Sequence, residues 1–119
     1  MAKYLLLLHE SATLSTRMGK TMSPEEIQGI IARYKTWAGG LAAAGKLAGS
    51  NKLQDGTGRV LKTSNGSVSV TDGPYVESKE VIGGYFLIEA ASYEEAVQLS
   101  QGCPHLDFGV VEIREVEQV

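Results

Sequence analysis

The chain has 119 residues, 43% of them hydrophobic, and a formal net charge of −3. That length supports one domain over residues 1–119 with one modest core. The acidic balance, without a basic run, excludes a nucleic-acid backbone or an anionic membrane as an evident direct partner. Cys103 is the single cysteine, so no intramolecular disulfide and no multi-cysteine metal site can form.

Tyr4-Leu5-Leu6-Leu7-Leu8 is too short to span a bilayer and is followed at once by His9 and Glu10, which reads as a strand of a cytoplasmic protein with no membrane partner. Five consecutive apolar residues defeat simple alternation, so the strand should be covered on both faces. Residues 10 to 22 are polar without a clear period and read as a connection able to fold over a pocket. Ser23 with Glu26 makes a capping-box pattern, Pro24 suits the first helical position, and Glu25 and Glu26 suit the positive end of the helix dipole. Ile27, Ile30, Ile31, Tyr34, Trp37, Ala38 and Leu41 then form one apolar stripe that should pack on a sheet. Gly39 and Gly40 weaken this helix, so either packing holds it or a close backbone approach needs them. Gly45 suits its end.

Lys46 to Gln54 reads as a weak strand and Asp55-Gly56-Thr57-Gly58 as a turn. Arg59 to Thr63 with Ser67 to Thr71 reads as a hairpin about Asn65-Gly66. Ile82 to Glu89 is a strand rich in aromatic and branched residues, and Ser92 with Glu95 opens a short helix through about Gln101, which Pro104 prevents from running on. Val110 to Val116 closes the order as a strand. The result is α+β: a ferredoxin-like βαββαβ with an extra hairpin, both helices on one face of an antiparallel sheet. The other face stays open, and covering it points to a second copy of the chain, a homodimer with sheets face to face.

Chemistry concentrates in residues 72 to 85. Asp72-Gly73-Pro74 is a turn, because Asp bonds its own downstream backbone, Gly accepts positive φ and Pro fixes φ. Extended chain after it would put Glu77 and Lys79 on one face and Glu80 on the other. These charges either line a pocket or keep a sheet edge from pairing with other molecules. His9, at the mouth of the first strand, suits acid or base work near neutral pH or a structural hydrogen bond. His105, beside Pro104, is a weaker candidate. Two histidines and scattered carboxylates give no ligand string, so no metal and no cofactor is expected. Gly83-Gly84 suits a bulge or close packing. Arg114 and Glu112 either pair or anchor an acidic ligand. Tyr34 and Trp37 either floor an apolar pocket or belong to the core.

Asp-Gly-Pro-Tyr-x-Glu-x-Lys-Glu-x-x-Gly-Gly-Tyr, from Asp72 to Tyr85, resembles the signature of the YCII-related, DGPF-motif proteins, with Tyr75 where Phe is usual. The resemblance continues through Cys103-Pro104, Gly109 and Val111-Glu112-Ile113-Arg114, where Glu115 replaces the usual Pro, and it reaches back to Tyr4-Leu8. It implies a dimeric α+β barrel. Shorter relatives use a His/Asp pair and some members act on chlorinated aromatic rings, but here Tyr34 stands about where their helix His lies. Together these readings give a small homodimer that binds a small organic molecule near Asp72, Glu77, Lys79, Glu80, Tyr85 and Arg114. Asp72 would work with His9 or Tyr34 in lyase- or hydrolase-like acid/base chemistry. The alternative is a noncatalytic regulatory or interaction protein, since DGPF-motif proteins resemble partners of extracytoplasmic-function sigma factors.

Overall fold

A computed structural model describes residues 1–11, 22–73 and 80–119. The leucine run lies in strand β1 (Ala2–Ser11), where Tyr4, Leu6 and Leu8 are buried while Leu5 and Leu7 on the opposite face are only half-buried. One face is thus sealed within the chain, and the other stays partly open.

Helix α1 (Pro24–Ala43) starts as the sequence predicts. Glu26 N–H donates to Ser23 Oγ at 3.1 Å, and Ser23 N–H donates back to Glu26 Oε1 at 3.3 Å. Ala44 caps its end, and Gly45 follows with φ +72°, the left-handed turn that glycine makes without a Cβ penalty. A Cβ at Gly39 or Gly40 would meet nothing within 4 Å, so packing and not close approach holds this helix. Of its stripe, only Leu41 is buried outright, with Trp37 and Ala38 packed against the core. The first half of the stripe does not reach the sheet but roofs a space above it.

Strands β2 (Leu47–Lys52), β3 (Arg59–Ser64), β4 (Ser67–Asp72) and β5 (Glu80–Ala90) follow, then helix α2 (Tyr93–Ser100), a single 3-10 turn (Pro104–Asp107) and strand β6 (Val110–Glu115). The four-stranded sheet runs β2-β5-β1-β6 and is antiparallel throughout, the ferredoxin-like order. The extra hairpin β3-β4 forms its own two-stranded sheet about Asn65 (φ 51°) and Gly66 (φ 78°), as an Asn-Gly turn requires. The second cap closes only halfway. Glu95 N–H donates to Ser92 Oγ, but the Glu95 carboxylate accepts from Ala91 N–H and from Lys46 Nζ at 2.9 Å, tying α2 to the start of β2. Glu95 is therefore held below its ordinary carboxylate range, chiefly by Lys46 and then by the backbone bond.

The core lies between the sheet and the helices, around Leu6, Ile88, Ala90, Ala96 and Cys103. Cys103 is buried, and burial pushes its thiol up. Among the described residues, no helix is long and apolar enough to cross a membrane.

Candidate functional site

Where α1 lifts off the sheet, its first two turns and the sheet enclose a cavity of about 670 Å³. Ile27, Ile30 and Ile31 line it from the helix, Leu8 and Phe86 from the sheet, and Phe108 from the loop before β6. Such walls favour an apolar body. Polar groups gather among them: Glu10, Tyr34 and His105, with Lys52 and Asp55, which form a salt bridge of 3.1 Å.

Each polar group has a local reason to be there. Tyr34 lies in the helix stripe and stacks parallel to Phe86, with ring centroids 6.5 Å apart and planes 5° apart. The 3-10 turn presents His105, which is only 4% exposed. Arg33 Nη2 donates to Asp107 Oδ2 at 2.5 Å, fastening that turn to α1. His105 Nε2 lies 2.8 Å from the backbone carbonyl of His9, which can only accept, so Nε2 carries a hydrogen. In the neutral ring Nδ1 then has the lone pair, and the Tyr34 hydroxyl donates to it at 3.2 Å. Gly109 makes this seat possible, because a Cβ there would overlap the His9 carbonyl and lie 2.9 Å from His105 Nε2.

Glu10 is seated by a second glycine. In the β1-β5 ladder Leu8 pairs with Gly84 and His9 with Ile82, leaving Gly83 as the extra residue of a bulge. A Cβ on Gly83 would sit 2.5 Å from Glu10 Oε1, so the absent side chain is the room the carboxylate uses. Burial lifts the proton affinity of Glu10 above the ordinary carboxylate range; His105 and Lys52 oppose that rise and Asp55 adds to it. Burial, followed by Cys103 and Glu10, likewise pushes Tyr34 upward and keeps its phenol protonated.

Of the residues singled out from the sequence, Tyr34 faces the cavity and Tyr85 contributes to its lining. Asn51 Nδ2 donates to the Tyr85 hydroxyl at 2.9 Å. His9 reaches the site only through its backbone carbonyl. Its side chain lies on the open face of the sheet, with Nε2 donating to Glu112 Oε1 at 2.8 Å. Arg114 lies on that face too, 3.8 Å from Glu112 Oε2, so it pairs there. Asp72 is not brought to the cavity. It ends β4 with its side chain 92% exposed, 3.5 Å from Arg59. Asp72 is thus not joined with His9 or Tyr34, because the hairpin carries it away from the sheet. Glu80 opens β5 as an exposed residue opposite Ser11. Glu77 and Lys79 lie outside the described residues, as does most of the 10 to 22 connection.

Glu10 and His105 carry more of the site than the sequence reading gave them. The usable signals were two glycines, Gly83 two residues before Tyr85 and Gly109 four residues after His105, both required by close approach. Among the described residues no group of three or more His, Cys, Asp or Glu is arranged to hold a metal ion.

The model of the YCII-related domain matches residues 2–119. An uncharacterised protein of Rhizobium meliloti (strain 1021) is 39% identical over 99 residues, which are 82% of this chain and 77% of that protein. A solved structure similar in fold is the 5-chloro-2-hydroxyhydroquinone dehydrochlorinase of Burkholderia phenoliruptrix AC1100, in complex with 2,5-dihydroxybenzoquinone. It has a TM-score of 0.51 and 14% identity, with 98% of this chain and 95% of that one covered.

Proposed function

For a chain that belongs to the YCII-related domain family, we propose that the cavity beneath α1 is the working site and that it performs acid/base chemistry on a small, largely apolar molecule carrying one polar group. One observation carries this reading: a largely apolar cavity of about 670 Å³ among whose polar groups Tyr34, His105 and Glu10 belong to one hydrogen-bonded and electrostatically coupled set. The dehydrochlorinase that shares the fold supports a small cyclic ligand, and its bound 2,5-dihydroxybenzoquinone supplies a suitable probe. The reaction is of a lyase or hydrolase kind, begun by proton transfer. The apolar residues Leu5, Leu7 and Val110 on the open sheet face support action as a homodimer.

The test is titration of the protein with 2,5-dihydroxybenzoquinone, followed by amide and methyl NMR. Shifts should centre on Ile27, Ile30, Ile31 and Leu8, and Tyr34→Phe should weaken binding by about tenfold, the loss of one good hydrogen bond. Shifts confined to the β3-β4 hairpin, or binding unchanged in Tyr34→Phe, would overturn the assignment.

A further inference from the structure

Tyr34 and His105 can exist in two hydrogen-bonded arrangements with the same atoms in place. With His105 neutral, the Tyr34 O–H points at Nδ1 and the phenol oxygen offers the cavity only lone pairs. With His105 protonated, Nδ1–H donates to the phenol oxygen and the Tyr34 O–H is released toward the cavity. Nε2–H keeps the His9 carbonyl in both, so the ring need not turn. Glu10, held over Gly83, lines the same cavity and is close enough to His105 to interact with it electrostatically.

From this juxtaposition we propose that the cavity is a two-point proton-transfer site for an enolisable carbonyl compound, in which Glu10 removes the proton and His105 returns one to the other end through Tyr34. The inference rests on the cavity's being the working site. The Glu10 carboxylate takes a hydrogen from the carbon next to the carbonyl. That C–H bond breaks, an O–H bond to Glu10 forms, and the freed electron pair becomes the carbon–carbon double bond. The carbonyl π pair moves to oxygen, which takes the Tyr34 hydroxyl proton as the phenol oxygen takes the Nδ1 proton of His105. Glu10 ends as the acid, His105 as the neutral ring, Tyr34 unchanged and the ligand as its enol. The reverse sequence regenerates the starting state, and no oxidant, reductant or second substrate is consumed.

Two features of the site fit this division of labour. Tyr34 is held protonated, so it passes a proton on without being left as a charged phenolate. Glu10 is a stronger base than an exposed carboxylate because burial disfavours its charge, as proton abstraction from carbon requires.

The experiment uses 2-indanone, a flat apolar ketone with readily exchanged hydrogens, and the full chain in D₂O. Saturation-transfer NMR reads binding, and loss of the ring CH₂ signal reads exchange. The wild type should bind and exchange the probe faster than buffer alone. Glu10→Gln should bind comparably and exchange at least about 100-fold more slowly, the usual contribution of one general base. Tyr34→Phe should also lose exchange. Gly83→Ala keeps the carboxylate but removes its seat, so it too should slow exchange, and melting temperatures confirm that each variant is folded. Binding without accelerated exchange, or a folded Glu10→Gln variant exchanging like the wild type, overturns the inference while the cavity stands as a binding site. Absence of binding overturns the cavity assignment and this inference with it.

Discussion

Leu6 and Leu61 both lie inside strands, yet Leu6 is 0% exposed and Leu61 is 64% exposed. β1 is central in a four-stranded sheet beneath two helices, whereas β3 has only β4 beside it. On the hairpin Leu61, Val68 and Val70 share one face, and all three are more than half exposed. A two-stranded hairpin is marginal by itself in water. It also extends the molecule: the Cα radius of gyration is 16.3 Å, against about 13.5 Å for a compact chain of this length. The sheet and helices hold the cavity and its chemistry, and the hairpin holds a turn signature without a core beneath it. The recognisable motif thus spans both regions: Asp72 ends the exposed hairpin, while Gly83, Gly84 and Tyr85 line the cavity.

Substitutions can break this contrast or sharpen it. Leu6→Ala opens a void in sealed core and should reduce unfolding free energy by about 3 kcal/mol in a denaturant titration. Gly109→Ala forces a methyl into the His9 carbonyl and should lose about 2 kcal/mol. It should also displace His105, read as a changed ring resonance, which a purely global destabilisation would not produce.

Glu10→Gln gives a smaller effect with a sign that depends on pH. Its folded-state proton affinity is raised above the unfolded value, so the wild type is favoured while Glu10 is protonated and loses that contribution as pH rises through its folded-state titration. Gln carries no charge to desolvate. The variant should thus gain melting temperature relative to wild type as pH rises above about 4, the ordinary carboxylate value, opposite to the trend expected if the carboxylate held a stabilising ion pair. Leu61→Ala and Asp72→Asn should change stability least, by less than about 0.5 kcal/mol each, because both side chains are already in solvent. A loss above about 1 kcal/mol for Leu61→Ala, growing with protein concentration, would break the contrast by showing that another copy covers the hairpin.

Local signals were legible in the sequence wherever neighbours in the chain decide the outcome. Ser23 and Glu26 set the start of α1, Asn65-Gly66 the hairpin turn, and Gly45 the helix end, each through backbone conformation or a cap. Strand order followed from the βαββαβ sequence and was observed. The site was less legible because its partners are far apart in the chain: His105 meets Tyr34 across 71 positions and the His9 carbonyl across 96. Near His105, Gly109 hints at a close approach but names neither partner. His9 lies near the end of β1 as its position after the leucine run implies, but a bond through its backbone, with the ring on the other face, has no side-chain signature. Asp72 drew attention through turn chemistry, which is a property of the hairpin root and not of the cavity. The stripe on α1 also gave the facing residues correctly without revealing that Ile27, Ile30 and Ile31 would cover a space, with Tyr34 the first to stack on the sheet.

The extra residue at Gly83 acts as a parity switch for the chain that precedes it. On β5, Phe86 and Gly84 face the helices, but after the bulge the inward turn falls to Val81, opposite Glu10, while Ile82 joins His9 on the open side. A regular ladder in which Gly83 paired with His9 would exchange the two, turning Ile82 inward against Glu10 and Val81 outward. The upstream segment would then reach β5 in the opposite phase. Pairing is consequently constrained at this point as strictly as side-chain identity, and homologous chains that keep the cavity should keep a glycine bulge opposite His9 while tolerating insertions in the hairpin.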